Sequence, residues 1–380
     1  MLDCTPDCAH EEQLVIILRY VSISEQISIN ESFFEFCKIT HSTGAAISKL
    51  VLEQLVKFGL DFQNCRAQAY DNGAKMRGEH KGVQAILSQK NPKALFLPCC
   101  NHNLNLVITD AVKSNFTIPE FFGIIQNLYN LFAASTKRWD IINSKLHLTL
   151  KPLSDTRWEA QYNCIHAVYS DLPDVLMSLD ELLKLQGLDD GSVAQCLGIR
   201  RGINLKFAFQ LIFWHNILEK SNKLCNLLQL KASHLDDAMS LINQFKTFIK
   251  DFRTDSNFNN IFVNAQVLCT SCGIKNVLSS KRVSKKKKFA DEHADDEPIR
   301  DPSRRLKMDI FFAILDVISN SLDDRFQTLF NYRNLYGFLL NINESHKNGK
   351  ICENAAKTFL KILMTLNPMN SRQIFEQSGL

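Results

Sequence analysis

The chain has 380 residues, of which 45% are apolar and 22% charged, as in ordinary globular proteins. This composition excludes a wholly disordered chain, and the length allows two or three domains. No apolar run approaches the roughly 18 residues of a membrane span, and the N-terminus lacks the basic flank and apolar core of a signal peptide. The 44 basic and 40 acidic residues leave a net charge of +4, which does not by itself imply nucleic-acid binding.

The chain begins with a pattern typical of a β-hairpin. Residues 14–21 are apolar and rich in β-branched side chains, and residues 27–39 follow with interrupted alternation after a turn-like segment. Apolar residues then recur at helical spacing over 43–58, and Gly59 ends this run as a C-cap glycine would.

Shorter strands and helices alternate over the next fifty residues. We predict strands at 65–70 and 94–99, and helices at 82–89 and 102–113. Strands that alternate with helices after an initial hairpin indicate a mixed α/β sheet layered with helices.

From about residue 119 the pattern is helical throughout. Apolar side chains repeat at spacings of three and four in long runs, as at Phe207, Leu211, Trp214 and Leu218. No repeat of fixed period is visible, so a helical solenoid is not supported.

A charged segment interrupts the helical pattern. Residues 290–298 carry five acidic side chains, and the segment just before them carries six basic ones within eight positions: Lys281, Arg282, Lys285, Lys286, Lys287 and Lys288. Such blocks are usually solvated loops. The basic cluster is equally compatible with phosphate contact and with nuclear localisation.

The twelve cysteines are scattered and are expected to be reduced, small and buried, as in an intracellular protein. Two pairs have ligand-like spacing, Cys269-x-x-Cys272 and Cys99-x-x-His102. Neither has a second pair at zinc-finger spacing, so we interpret Cys269 and Cys272 as structural thiols. For Cys99 and His102 the structural alternative is a buried thiol beside a histidine that caps or pairs locally.

Acidic side chains lie near the ends of the predicted strands. Asp71 follows one strand and precedes Asn72-Gly73, where it could hold a divalent metal, but Asp-Asn-Gly is also common turn chemistry. Asp3 and Asp7 precede the hairpin, and an ordinary acidic loop explains them at least as well.

Arg157 and Trp158 place a guanidinium beside an aromatic plane. This pair suits phosphate contact combined with base stacking. From residue type alone, an ordinary core tryptophan is at least as good an interpretation of Trp158.

Taken in order, these motifs resemble the transposase-like proteins of the hAT superfamily, in the branch of the MYM-type zinc-finger protein 1-like proteins. The basic and acidic segment, followed by residues 326–342, also resembles that branch, so the similarity extends over nearly the whole chain. The motifs are Asp3-x-Thr5-x-Asp7 with Glu12-Gln13-Leu14, Cys65-Arg66-Ala67-Gln68-Ala69-Tyr70-Asp71-Asn72-Gly73-Ala74-x-Met76-x-Gly78, Pro98-Cys99-x-x-His102-x-Leu104-Asn105-Leu106 and Leu153-Ser154-Asp155-Thr156-Arg157-Trp158.

The resemblance implies an α/β plus all-α architecture. It places the N-terminal part of an RNase H-like mixed sheet core at 1–118 and a helical insertion domain at 119–278. A charged, disordered loop at 279–300 and a helical region at 301–380 follow. From the motif order we expect 14–21, 27–39 and 65–70 to share one sheet.

The resemblance also implies a metal site and a DNA contact. In such transposases, two aspartates and a glutamate hold two divalent metals, Mg²⁺ or Mn²⁺, for phosphodiester chemistry. By motif, Asp3 corresponds to the first acid and Asp71 to the second, and the two should lie near each other at the sheet edge. The residues near the DNA end would be Cys99, His102, Arg157 and Trp158.

Departures from the family pattern argue against catalysis. The first core strand should precede Asp3, yet only two residues remain there, and no Ser-Glu-Arg helix carrying the third acid is recognisable. The dimerisation segment and the zinc fingers of relatives are absent as well. We therefore expect a truncated remnant with doubtful oligomerisation.

Two functions remain open at this level. One is a non-catalytic binding protein with weak, salt-sensitive, largely sequence-independent affinity for DNA or with a protein partner, in the nucleus or else the cytoplasm, with no membrane involved. The other is an active metal-dependent nuclease or strand-transferase, for which Glu159 is the nearest substitute acid, although we interpret Glu159 as an exposed residue in the first turn of a helix. A gene model without selected function is the third, plainer possibility.

Overall fold

The computed structural model describes residues 1–23, 27–78, 80–115, 117–154, 158–229, 235–278 and 301–336. Small sheets occupy the first hundred residues, and helices make up the rest of the described chain. The predicted order, α/β followed by all-α, is confirmed at this level. Within these ranges no helix is both long and apolar enough to cross a membrane.

Three antiparallel strands begin the chain, β1 (Leu2–Pro6), β2 (Glu12–Ile23) and β3 (Ile27–Lys38), in the order β1-β2-β3. The predicted hairpin is the β2–β3 pair and is confirmed. Its register shifts between Ile16 and Ile17, which bulges β3 and bends the pair.

Strand β1 corrects the expectation that the first strand is missing and that Asp3 lies in a loop. Asp3 is in the strand and pairs opposite Val15 of β2. Leu2 and Cys4 pack against the N-terminal core, whereas Asp3 is exposed, as strand alternation requires. A strand of five residues that contains an aspartate and ends in proline is too short to show this alternation in the sequence.

Asp7 has a structural role in the turn from β1 to β2. Its Oδ1 accepts hydrogen bonds from the backbone nitrogens of Ala9 at 2.8 Å and Glu11 at 2.9 Å. The side-chain nitrogen of Gln13 donates to Asp7 Oδ2 at 3.0 Å. These hydrogen bonds lower the pKa of Asp7 and agree with its interpretation as a loop residue.

A second ladder follows in which β4 and β5 pair in parallel. The prediction that 65–70 joins the hairpin in one sheet is wrong, because β4 pairs with β5 and, of the first three strands, packs mainly beside β1. The unpredicted β1 lies next to β2 and so separates β4 from the hairpin. The elements of this part are α1 (Gly44–Lys57), β4 (Ala67–Tyr70), α2 (Ala74–Arg77), α3 (Val83–Lys90) and β5 (Leu95–Pro98).

One face of these strands packs against α1 and α3. Thr43 caps α1 by accepting a hydrogen bond from the Ala46 nitrogen at 3.2 Å, and Gly59 follows the helix at a φ of 70°, which glycine adopts readily. The buried N-terminal core comprises Leu14, Ile16, Cys37, Ile47, Val51, Leu55, Tyr70, Met76, Val83 and Leu87.

The helices form a second and much larger core, in which α10 is central and Trp214 is completely buried. Phe213 of α10 packs against Phe311 with ring centroids 5.6 Å apart. A π-helical turn (Leu306–Phe312) precedes the last described helix. The helices are α4 (Cys100–Lys113), α5 (Ile118–Ala133), α6 (Thr136–Asn143), α7 (Trp158–Ser170), α8 (Leu172–Leu182), α9 (Asp190–Gly202), α10 (Leu205–Leu228), α11 (Leu235–Phe252), α12 (Asp255–Ser271), α13 (Pro302–Arg305) and α14 (Ala313–Tyr336).

Candidate functional site

Asp71 lies directly after β4, half-buried, at the start of a tight turn. Its Oδ1 accepts a hydrogen bond from the backbone nitrogen of Gly73 at 3.1 Å. A Cβ on Gly73 would lie only 3.3 Å from that same oxygen, so a glycine suits this position. Asp71 therefore has the turn role that its neighbours indicate, which leaves its second carboxylate oxygen for other contacts.

Besides burial, the negative charges of Asp71 and Asp3 both raise the pKa of the Cys4 thiol. Asp3 is exposed on β1, and its Oδ1 accepts from the Cys4 nitrogen at 3.1 Å. The pKa of Cys4 is raised to about 11, first by burial and then by the negative charges of Glu12, Asp71 and Asp3. The two aspartates thus lie in the neighbourhood of the same residue, where β1 packs beside β4.

The two aspartates do not form a complete metal site with the residues described. In that part of the chain, no three His, Cys, Asp or Glu side chains are placed to hold a metal ion. Two carboxylates would leave each of two ions with few protein ligands.

Two asparagines join the Asp71 turn to the helices. Asn72 Nδ2 donates a short hydrogen bond to Oδ1 of Asn103, which is buried in the first turn of α4. Asn103 Nδ2 in turn donates to the backbone oxygen of Arg325 in α14, at 3.0 Å. Because buried amides are costly when unpaired, these bonds fix the turn against both helices.

Helix α14 is also tied to α4 by charge. Arg325 donates to Asp110 Oδ2 from Nε at 3.0 Å and from a terminal nitrogen at 2.7 Å, and the Ser321 hydroxyl donates to the same oxygen at 2.7 Å. A cleft of about 430 Å³ beside these contacts is lined in part by Arg77, Val317 and Asp324. The cleft therefore lies between α2 of the strand region and α14.

The Cys99-x-x-His102 motif lies where β5 passes into α4. Cys99 occupies the N-cap position and is exposed, and His102 is half-buried in the first turn. The exposure of Cys99 excludes its interpretation as a buried thiol. Cys100 is the more enclosed of the adjacent cysteines, and burial raises its pKa to about 11.

Cys225, near the end of α10, is influenced by both this motif and the beginning of α7. The pKa of Cys225 is raised to about 11, first by burial and then by the negative charges of Glu159 and Cys99. Cys225 therefore has both the Cys99 motif and the residue after Trp158 within electrostatic range. Glu159 itself is exposed in the first turn of α7, as predicted.

Several predicted site residues cannot be placed in this geometry. Trp158 is the first residue of α7, but its side chain lies outside the described residues. Arg157 lies outside them entirely, as does the basic cluster Lys281, Arg282, Lys285, Lys286, Lys287 and Lys288.

The structural thiol Cys269 is completely buried in α12, and burial raises its pKa to about 11.

Sequence reasoning missed the residues that connect the motifs. Asn103 carries the strongest signal, because it is a polar side chain on the apolar face of a helix beside Leu104 and Val107. Nothing in the sequence pairs it with Asn72 or with Arg325, which lies 222 residues further along the chain. Such partners become visible only in the folded structure.

Among known protein families, residues 1–82 match the model of DUF4371, the ZMYM1/FAM200 RNase-like domain. The chain is also similar to the human 52 kDa repressor of the inhibitor of the protein kinase, with 24% identity over 190 residues, 47% of this chain and 24% of the relative. The mouse protein of the same name is 22% identical over 191 residues, 48% of this chain and 25% of the relative.

The chain thus spans about a quarter of the length of these curated relatives. The family match covers β1, β2, β3, α1, β4 and α2, and with them both Asp3 and Asp71. The resemblance to the hAT-derived transposase-like proteins that the ordered motifs indicated is confirmed.

Proposed function

We propose that this chain is a transposase-derived protein that binds nucleic acid without catalysing strand transfer. The observation that carries the proposal is the convergence of the motifs. The Asn72–Asn103 hydrogen bond joins the Asp71 turn to α4, and the pKa of Cys225 responds to both Glu159 and Cys99. The Asp71 turn and the start of α4 are thus in direct contact, and Glu159 and Cys99 both lie within electrostatic range of Cys225, which supports a shared binding site.

The same proposal gives the N-terminal part of the chain an RNase H-like core. Supporting this, β1 pairs with β2 on one side and packs beside β4 on the other, which gives the spatial order β3-β2-β1-β4-β5. In this arrangement Asp3 lies on β1, the strand of its sheet that packs beside β4, and Asp71 directly follows β4.

The nucleic-acid contacts of the proposal combine stacking and charge. In this proposal Arg157 and Trp158 supply a phosphate contact and a stacking surface, and the six basic residues of 281–288 add sequence-independent attraction. The curated relatives carry the word repressor in their name, which supports a nuclear location.

Binding can be measured by fluorescence anisotropy with a labelled DNA duplex and a labelled single strand. We expect Trp158→Ala to weaken binding roughly tenfold, because stacking of one base contributes about 1–3 kcal/mol. The control is Trp139→Phe in α6, where the ring packs against Tyr129. Equal affinities of Trp158→Ala and the control would contradict the stacking role.

The salt dependence tests the basic cluster separately. If its six side chains each neutralise a phosphate, the slope of log affinity against log salt should be shallower by up to about 5 when all six become glutamine. An unchanged slope would assign the charge contacts elsewhere in the chain.

An active nuclease is the second candidate, and β1 is the observation that favours it. The strand holds Asp3 in a paired ladder, so the absence of a first strand no longer argues against catalysis. A nicking assay on supercoiled plasmid with Mn²⁺ distinguishes the two candidates, with Asp71→Asn as the control. Nicking by the native chain that disappears in Asp71→Asn would establish the enzyme, and equal background from both would support the binding protein.

A further inference from the structure

A pair of histidines outside the motifs connects α7 to α10. Nδ1 of His166 and Nε2 of His215 lie 2.9 Å apart, at hydrogen-bond distance. The Tyr162 ring stacks on His166 with an interplanar angle of 9°, and Tyr169 stacks on His215 with ring centroids 4.2 Å apart. All four rings are half-buried, so solvent and small ions reach the pair.

The two rings offer nitrogen ligands at the place where they meet. In a hydrogen bond between two imidazoles, one nitrogen donates and the other offers a lone pair. Neutral imidazole is the commonest protein ligand for transition metals.

The spacing of the two nitrogens selects a coordination geometry. With metal–nitrogen bonds of about 2.0–2.1 Å, nitrogens 2.9 Å apart subtend an angle of roughly 90° at the ion. A tetrahedral ion would need about 3.4 Å between them. Adjacent positions at 90° are those of tetragonal and octahedral ions, and tetragonal nitrogen and oxygen sites favour Cu²⁺ and Ni²⁺.

A carboxylate beside the pair, Glu219, is itself paired with a lysine, so the site gains little net negative charge from it. Glu219 lies one helical turn after His215, and the Lys223 amine donates to its Oε1 at 2.6 Å. This hydrogen bond lowers the pKa of Glu219, so the carboxylate is ionised near pH 7. No third side chain among the described residues completes a ligand group, so water would fill the remaining positions.

We propose that His166 and His215 form a two-histidine site for a late first-row divalent ion of the Ni²⁺ and Cu²⁺ class. The ion replaces the hydrogen between the two nitrogens, and that proton moves through solvent to the other nitrogen of its own ring. A small turn of the two rings that keeps these nitrogens about 2.9 Å apart lets both lone pairs converge on the ion, which then bridges α7 and α10.

The test is calorimetric titration of the full chain with Ni²⁺, together with thermal melts with and without the ion. We expect one ion per chain and a melting temperature that rises with Ni²⁺, because the ion binds the folded state. His166→Gln and His215→Gln should each weaken binding at least roughly tenfold and remove the rise in melting temperature. His41→Gln, which changes an exposed histidine before α1, should change neither.

Equal Ni²⁺ affinity of His166→Gln and the native chain would overturn the proposal. Thiolate-to-nickel charge-transfer absorption in the native complex would place the ion on cysteines and would overturn it as well. If His215→Gln fails to fold, as judged by circular dichroism, His166→Gln and the absorption spectrum still decide the question.

Discussion

At the scale of single residues, one buried carboxylate is satisfied by a partner 24 residues away in the sequence. Asp171, only 5% exposed, accepts a hydrogen bond from the backbone nitrogen of His147 at 2.8 Å and contacts His147 Nδ1 at 2.9 Å. This pair holds the segment before α7 against the start of α8. The His147 ring itself is exposed, so it can exchange protons with the solvent.

Stability should depend on pH through His147. The hydrogen bond and charge of Asp171 raise the pKa of His147 in the folded protein. The resulting stabilisation is complete below the pKa of histidine in the unfolded chain, about 6.5, and is lost as the pH rises through the raised folded value. The melting temperature of the native chain should therefore exceed that of His147→Gln at about pH 5.5, and this difference should shrink towards about pH 8.5.

The exposed His41 provides the control for this measurement. His41→Gln should show no comparable dependence, since that side chain is exposed before α1. A difference between the native chain and His147→Gln that stays constant across the pH range would exclude the charged pair as its source.

At the scale of elements, α1 and α3 meet through glycine. A Cβ on Gly44, the first residue of α1, would lie 2.2 Å from the Lys81 oxygen, and a Cβ on Gly82 would lie 2.3 Å from the Gly78 nitrogen. These contacts are with backbone atoms, which cannot rotate away. Gly44 therefore lets α1 begin against the start of α3, and Gly82 lets the turn that follows α2 pass close to the same point.

Gly44→Ala should destabilise the protein by about 1–3 kcal/mol, because the backbone of Lys81 must shift. Gly123→Ala in α5 is the matched control, since a Cβ there meets nothing within 4 Å. The control should be neutral or stabilising by up to about 1 kcal/mol, as alanine favours a helix over glycine. Urea unfolding measures both, and the same sign of change in the two variants would contradict the glycine contact.

Elements with a clear periodicity were the ones that the sequence predicted well. The hairpin and α1 have enough residues for alternation or helical spacing to appear, and Thr43 and Gly59 mark the helix boundaries. Strand β1 has too few residues for this, and the partner of β4 depends on contacts that no local pattern records. At the candidate site, the motif residues were visible in the sequence, but the contacts of Asn103 were not.

At the scale of the whole molecule, the described chain has two separate hydrophobic cores. The strands with α1 and α3 enclose the smaller core, and the helices from α4 onward enclose the larger one. Cores that share few contacts need not unfold together.

Unfolding in urea should therefore show two transitions. Trp214 lies in the larger core and Trp139 packs against it, so the tryptophan fluorescence change follows that core. Cys37 is buried in the smaller core, so its alkylation, identified by mass spectrometry, follows the strands. We expect Cys37 to become reactive at lower urea concentration than the fluorescence change, because the smaller core buries less apolar surface. Coincident midpoints would instead indicate one cooperative unit.

The packing of α14 against α4 also sets a waiting time during synthesis. Asp110 and Arg325 are 215 residues apart, so at roughly 5–20 residues per second the ribosome makes Arg325 about 10–40 s after Asp110. Until then α4 lacks its C-terminal neighbour, and its apolar residues Leu104, Val107, Ile108 and Ala111 are incompletely covered. A nascent chain in this state offers chaperones a hydrophobic surface for many seconds, and premature termination before α14 would leave that surface permanently exposed.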